Sequence, residues 1–205
     1  RGLGDVYKRQ VQDHKRAYRG DTGPNTGGMG TYSDANHSLP FLNENDITHA
    51  RMINEKTTEA LQKEVGEGYK GILYGGFMAT ANGVKLIEYN ARLGDPEAMN
   101  VLTILKTDII DIFNSIGRGT LSELSIDFDN KATVCKYAVP KGYPDKPIKG
   151  KKIDITSVSN KDSLFFASVD VEGDHLIEAG SRTVAMVGIA NSISQAEKIA
   201  EEEIS

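Results

Sequence analysis

The chain has 205 residues, of which 39% are hydrophobic and 26% charged, with 21 glycines and a net charge of −5. That balance suits an ordinary soluble protein of one large or two small domains. It speaks against a nucleic-acid binder, which needs a basic excess to neutralise phosphates, but not against a nucleotide site built from a few local cations. Cys135 is the only cysteine, so no intrachain disulfide exists and a reducing cytoplasm is the expected compartment. No run of about 18 apolar residues offers a membrane span, and no signal peptide is visible.

The opening RGLGDVYKRQ, residues 1–10, reads as a candidate non-native leader. Residues 20–30, GDTGPNTGGMG, hold five glycines and a proline, a density that predicts a loop. From Asn45 to Val65 apolar residues recur at spacings of three and four, which predicts an amphipathic helix stopped by Gly66 and Gly68. Two strands follow, 72–80 and 84–89, joined at Asn82-Gly83, a dipeptide suited to a tight hairpin because both residues tolerate positive φ. After Asp95-Pro96 a helical pattern runs from Met99 to Ile116, with a candidate break at Thr107-Asp108 and stops at Gly117 and Gly119. From Lys131 the chain turns strand-like: 133–139, 153–156, 163–171, 175–178 and 183–190. Ser194 is the expected cap of the last helix, with Glu197 completing a capping box.

The chemistry concentrates at KLIEYNARLGDPEAMN, residues 85–100. Alternate residues of a strand share a face, so Glu88 and Asn90 are expected side by side, with Arg92 continuing the row if the strand reaches it. A carboxylate and an amide carbonyl are hard oxygen donors suited to Mg²⁺ or Mn²⁺, which fill their other positions with phosphate and water. One cysteine and four scattered histidines give no zinc spacing. The bland alternative has Glu88 facing water on an edge strand, Asn90 opening a turn and Arg92 pairing with Asp95. The glycine run is not a P-loop, lacking Gly-Lys-Ser/Thr, but its backbone N–H groups suit an anion-binding nest.

The order strand, E-x-N-x-R, Leu-Gly-Asp-Pro-Glu, helix resembles the C-terminal half of an ATP-grasp domain. More narrowly, RLGDPE at 92–97, DHKR at 13–16 with GDTGPNTGGMG at 20–30, GILYGGFMAT at 71–80 and KATVCKYAVPKGYP at 131–144 resemble the phosphoribosylamine–glycine ligase family. The resemblance implies an α+β fold: the C-terminal part of an ATP-grasp domain, an antiparallel sheet with helices, over residues 11–128, then a small β-rich C-terminal domain over 129–205. With no initiator Met and a last helix that stops early, the chain is expected to be a fragment.

The implied reaction joins glycine to 5-phosphoribosylamine at the expense of ATP through a glycyl phosphate, with no nucleic-acid or membrane partner. The metal ligands would be Glu88 and Asn90, and Arg92 would act on anionic oxygens. His14, Lys15, Asp21, Pro24, Asn25, Thr26, Gly27, Gly28 and Asp95 would bind substrate: His14, Lys15 and Arg16 at phosphate oxygens, Asp21, Asn25 and Thr26 at ribose hydroxyls or the glycine amine. Asp95 and Glu97 are left between three roles: orienting Arg92, binding an amine, or capping the following helix. Many ATP-grasp enzymes add an acidic ligand on the preceding strand. Residues 71–80 hold none, so a two-residue metal site is expected. Two alternatives stay open: another ATP-grasp carboxylate–amine ligase, and an inactive nucleotide-binding fragment. In the second domain Cys135 is expected to be a packed small hydrophobe and His175 an exposed loop residue.

Overall fold

A computed structural model describes residues 9–205. The leader read at 1–10 lies outside these residues except for its last two. In chain order the elements begin with β1 (Gln12–Tyr18), β2 (Thr22–Ser33), α1 (Glu44–Val65), β3 (Tyr74–Thr80), β4 (Gly83–Asn90), α2 (Glu97–Leu102) and α3 (Ile109–Arg118). They continue with β5 (Ala132–Ala138), β6 (Lys152–Ile153), β7 (Leu164–Phe166), β8 (Val169–Glu172), β9 (His175–Glu178), β10 (Val184–Ala190) and α4 (Ile193–Ile204).

These elements cluster into two units that interleave along the sequence. The first holds Leu39–Gly94 and Ile104–Asp129, and the second Gln10–Ser38, Asp95–Thr103 and Asn130–Ser205. One crossing falls at the boundary read near residue 128. The contiguous 11–128 segment, however, is divided, because β2 pairs with β5 about a hundred residues later. Local composition carries no trace of a ladder between such distant strands.

In the first unit, α1 starts at a reciprocal cap that the sequence reading did not name. Asn43 accepts from the backbone N–H groups of Asn45 and Asp46, and Asp46 returns a bond to the Asn43 N–H. The helix ends where Gly66 turns left-handed, at φ 83°. Tyr89 on β4 donates its hydroxyl to Asn54 Oδ1 of α1 at 2.7 Å. β3 and β4 form an antiparallel hairpin whose turn departs from expectation. Thr80 faces Gly83 across Ala81-Asn82, and only Gly83 takes a positive φ, 88°. Asp108 caps α3 and Gly119 ends it, so the break expected at Thr107-Asp108 is present.

The second unit is built on a five-stranded antiparallel sheet in the order β1-β2-β5-β10-β7. Cys135, Tyr137, Ala185 and Val187 pack on one face with Met99 and Phe165, while Val134 on the other packs against Ala196 and Ala200 of α4. Full burial of a valine or methionine side chain such as Val187 or Met186 contributes about 1.5–3 kcal/mol. A smaller sheet, β6-β9-β8, completes the unit. The cap of α4 is Ser192, whose side chain accepts from the Gln195 N–H, and not Ser194. Glu197, expected in a capping box, instead meets Lys136 of β5 at 2.5 Å, and Glu201 meets the same ammonium at 2.6 Å. His175 is exposed as expected, although it opens β9 and is not a loop residue.

The glycine-rich run is a strand, contrary to the sequence expectation. β1 and β2 form a ribbon with two register breaks, and the first part of β2, Thr22–Asn25, accommodates Pro24 where regular pairing lapses. Gly30 is required by close approach: a Cβ there would sit 2.5 Å from the Cys135 carbonyl oxygen on the neighbouring strand. Gly30 therefore lets two backbones meet, whereas Gly23, Gly27 and Gly28 lie against the side chains of Tyr18, of Arg182, and of Pro96 with Asp13.

Short α2 is fixed to this sheet by Asn100, which is fully buried. Its Nδ2 donates to Thr133 Oγ1 at 3.1 Å, the Thr133 carbonyl at 3.2 Å and the Thr31 carbonyl at 3.3 Å. Its Oδ1 accepts from the Thr31 hydroxyl.

Candidate functional site

The expected metal row lies on β4. Ile87 is the extra residue of a bulge, since Gly76 faces Glu88 while Phe77 faces Leu86. Beyond the bulge alternation resumes, and Glu88 and Asn90 share a face, with Asn90 Nδ2 3.4 Å from Glu88 Oε1. A Cβ at Gly76, opposite Glu88, would touch Glu88 Cγ at 3.4 Å. Glu88 is exposed and Asn90 half-buried. The row stops there. β4 ends at Asn90, and Arg92 is exposed in the loop beyond, its Nη1 donating to the Leu93 carbonyl at 2.8 Å. Among the described residues no group of three or more His, Cys, Asp or Glu side chains is arranged to hold a metal. One carboxylate and one amide oxygen nevertheless fit a hard divalent cation that keeps waters or phosphate oxygens as its other ligands.

The expected substrate-binding residues all lie in the second unit. His14, Lys15, Asp21 and Asn25 are exposed on the β1–β2 ribbon. Asp21 sits at its tip in the left-handed region, φ 56°, roughly 20 Å from Gly28 by strand rise. Arg16 Nη1 donates to the Gly23 carbonyl at 2.9 Å. The Thr26 hydroxyl donates to the Lys15 carbonyl and accepts from the Gly28 N–H, both at 3.0 Å. That amide, read as part of an open anion nest, is therefore engaged within the ribbon.

Lys15 lies 2.5 Å from Asp13 Oδ2. The Asp13 side chain is only 10% exposed, and its Oδ1 has no hydrogen-bond partner. That oxygen faces Gly28, where an added Cβ would sit 2.8 Å away and 2.7 Å from the Pro96 ring. Burial raises the Asp13 carboxyl above its ordinary value, against the opposing pull of Lys15.

Two of the roles left open for Asp95, orienting Arg92 and capping, are not seen. Its partner is Arg182, Nη2 to Oδ2 at 3.2 Å, and not Arg92. The Tyr137 hydroxyl donates to Asp95 Oδ1 at 2.9 Å. Asp95 makes no cap: α2 opens at Pro96 without a side-chain cap bond. Burial, reinforced by the bond to Asp95, pushes the Tyr137 hydroxyl well above the usual phenol value. An open depression of about 340 Å³ lies beside Asp95, Ala167, Ser168, Ser181 and Arg182. Arg182 lies outside every motif read in the sequence, and Tyr137, although inside KATVCKYAVPKGYP, carried no signal there of its bond to Asp95. Asp13 stood inside DHKR, where its burial had no local signal. Cys135 is 1% exposed, and burial together with the Asp95 charge pushes its thiol up to about 12, as befits a packed residue.

A Glu-x-Asn pair on a hairpin strand, followed by a Gly-Asp-Pro-Glu turn into a helix, is the architecture of the C-terminal part of an ATP-grasp domain. Residues 6–98 match the family model described as the phosphoribosylglycinamide synthetase ATP-grasp (A) domain, and residues 133–205 match that of the C domain of the same synthetase. The chain belongs to the phosphoribosylglycinamide synthetase family. The first match begins inside the stretch read as a foreign leader.

The chain is 50% identical over 196 residues to a phosphoribosylamine–glycine ligase of Methanosarcina barkeri, covering 96% of this chain and 45% of the relative. It is 53% identical over 195 residues to that of Methanocaldococcus jannaschii, covering 94% and 44%. The crystal structure of the phosphoribosylamine–glycine ligase from Thermotoga maritima superposes with a TM-score of 0.80 at 30% identity, covering 96% of this chain and 49% of that one. The chain thus spans about half the length of the relatives it matches.

Proposed function

We propose that this chain is the part of a cytoplasmic phosphoribosylamine–glycine ligase that carries the metal ligands of the nucleotide phosphates and the second-domain walls of the substrate site. The reaction is ATP + glycine + 5-phosphoribosylamine → ADP + phosphate + glycinamide ribonucleotide. Glycine's carboxylate resists attack by an amine because its charge repels the nucleophile and oxide is a poor leaving group. Transfer of the γ-phosphoryl group to it gives glycyl phosphate, and the sugar amine then displaces phosphate. Such chemistry is accelerated chiefly by positioning and charge neutralisation.

Glu88 and Asn90 would hold Mg²⁺ or Mn²⁺, which supplies neutralisation of the phosphate oxygens. Asn90, whose Nδ2 now faces Glu88, would present Oδ1 to the cation. Arg92 stabilises anionic oxygens through several donors at once. His14, Lys15, Pro24, Asn25, Gly27 and Gly28, with Asp21 at the ribbon tip and Asp95 beside Arg182, bind the substrates. The residues 11–128 and 129–205 correspond to the ATP-grasp and C-terminal domains of that enzyme.

The observation that carries this reading is the pairing of Glu88 and Asn90 on one face of β4, in a chain of this family. ADP release with glycine and phosphoribosylamine, measured on the complete gene product and on the 205-residue chain, tests it. The complete product is expected to turn over and the chain alone to do little. In the complete product Glu88→Gln is expected to cut Mg²⁺-dependent turnover by roughly 10²-fold or more while leaving the fold intact. An unchanged rate would make Glu88 a solvent-facing carboxylate and nothing more.

A further inference from the structure

Arg182 makes contacts that its position, in the loop before β10, gives no reason to expect. Its side chain is 16% exposed. Nη1 donates to the carbonyls of Gly27 and Gly28 at 3.2 and 3.1 Å, and Nη2 donates to Asp95 Oδ2 at 3.2 Å. The guanidinium carbon lies 4.7 Å from the centroid of the Tyr137 ring, whose hydroxyl holds the other oxygen of the same Asp95. A side chain at Gly27 would enter the guanidinium, its Cβ 3.0 Å from Nη2. One planar cation thus ties together four places distant in the chain: the glycine pair of β2, Asp95 just before the Pro96 that opens α2, β5, and its own loop.

We propose that Arg182 is a positioning residue for ligation, which fixes the Gly27–Gly28 backbone and the Asp95 carboxylate in one arrangement. This rests on the functional reading above, in which those residues meet the substrates. The chemistry favours positioning over ligand binding. Nη1 is shared among internal acceptors and Nη2 is engaged with Asp95, so the guanidinium is committed largely to its own protein. Peptide C=O and N–H groups point in opposite directions, so pinning the Gly28 carbonyl also sets where the Met29 amide points. The Gly28 amide, on the peptide whose carbonyl is that of Gly27, is held by the Thr26 hydroxyl as well. Glycine would otherwise roam over both signs of φ, and Gly28 holds φ 118°. A lysine keeps the charge but is a single-point donor on a flexible stem, and it cannot hold two carbonyls and a carboxylate at once.

Two measurements on Arg182→Lys test this. In the 205-residue chain, amide hydrogen exchange from Thr26 to Gly30 is expected to accelerate about tenfold or more, with β5 and β10 unchanged. In the complete gene product, kcat/KM for the amine substrate is expected to fall about 10–100-fold, while KM for ATP stays within about twofold. If the lysine variant does not fold, Tyr137→Phe keeps the ring beneath the guanidinium and removes one hold on Asp95. It should give the same selective pattern, at about three- to tenfold.

Unchanged exchange and unchanged amine kinetics in the folded variant would overturn the proposal. So would a uniform loss in every kinetic parameter together with a lowered melting temperature, which is what a merely structural residue would produce. A complete wild-type product that does not ligate would sink the functional reading, and the exchange measurement would still decide whether Arg182 sets the glycine pair.

Discussion

Asn100→Ala tests how α2, and with it the Asp95-Pro96-Glu97 turn, is held on the sheet. The substitution deletes three donor contacts from Nδ2 and the acceptor for the Thr31 hydroxyl. Thr31 is 3% exposed and Thr133 0%, so water does not replace the lost partners. The Thr133 hydroxyl keeps an acceptor in the Asn100 main-chain carbonyl at 3.3 Å, which the mutation spares. The Thr31 hydroxyl loses its acceptor, at about 1–3 kcal/mol, and the bonds of the two lost amide N–H groups add roughly 1 kcal/mol each. The expected cost is therefore about 3–5 kcal/mol, a large share of the 5–15 kcal/mol typical of a domain. Urea unfolding followed through β5 and β10 amide resonances measures it. A cost below about 1 kcal/mol would show that the Asn100 network is incidental and that α2 is held by apolar packing alone.

Two further outcomes concern buried titratable groups. Cys135 is expected to resist iodoacetamide in the folded chain near pH 8 and to react at the ordinary thiol rate in urea, because its thiol is buried and its pKa is pushed up to about 12; rapid labelling without unfolding would contradict that. Asp13 has a carboxyl raised by burial, so its contribution to stability is fully present below the unfolded value of about 3.9 and is lost as pH rises through the raised folded value. Asp13→Asn removes this loss. Its urea midpoint should exceed wild type at pH 7 and approach it near pH 3.5, and an equal difference at both pH values would refute the assignment.

Much of the first unit was legible because its signals are local. The three-and-four spacing of α1, the stop at Gly66 and the break at Thr107-Asp108 each lie within one turn of the element they shape. Glu88 and Asn90 were legible as neighbours because strand alternation is a two-residue rule. Arg92 fell outside the row because β4 ends at Asn90, and nothing local announces that end. The glycine run misled for a different reason. Glycine density signals freedom when a strand is read alone, whereas Gly30 is there because the Cys135 carbonyl of β5 approaches it from across the sheet. The same holds for Arg182, whose partners Gly27, Gly28 and Asp95 are 87 to 155 residues away.

The pairing of β2 with β5 bears on how this family can be dissected. The C-domain match begins at residue 133, which invites a cut just upstream. Such a cut would strip β5 of its β2 neighbour along Thr133–Lys136 and bare a row of unpaired amides and carbonyls on a strand rich in buried apolar side chains. A naked edge of that kind recruits other chains. The C-terminal piece liberated there would tend to clump, and a soluble half would have to carry the glycine ribbon with it.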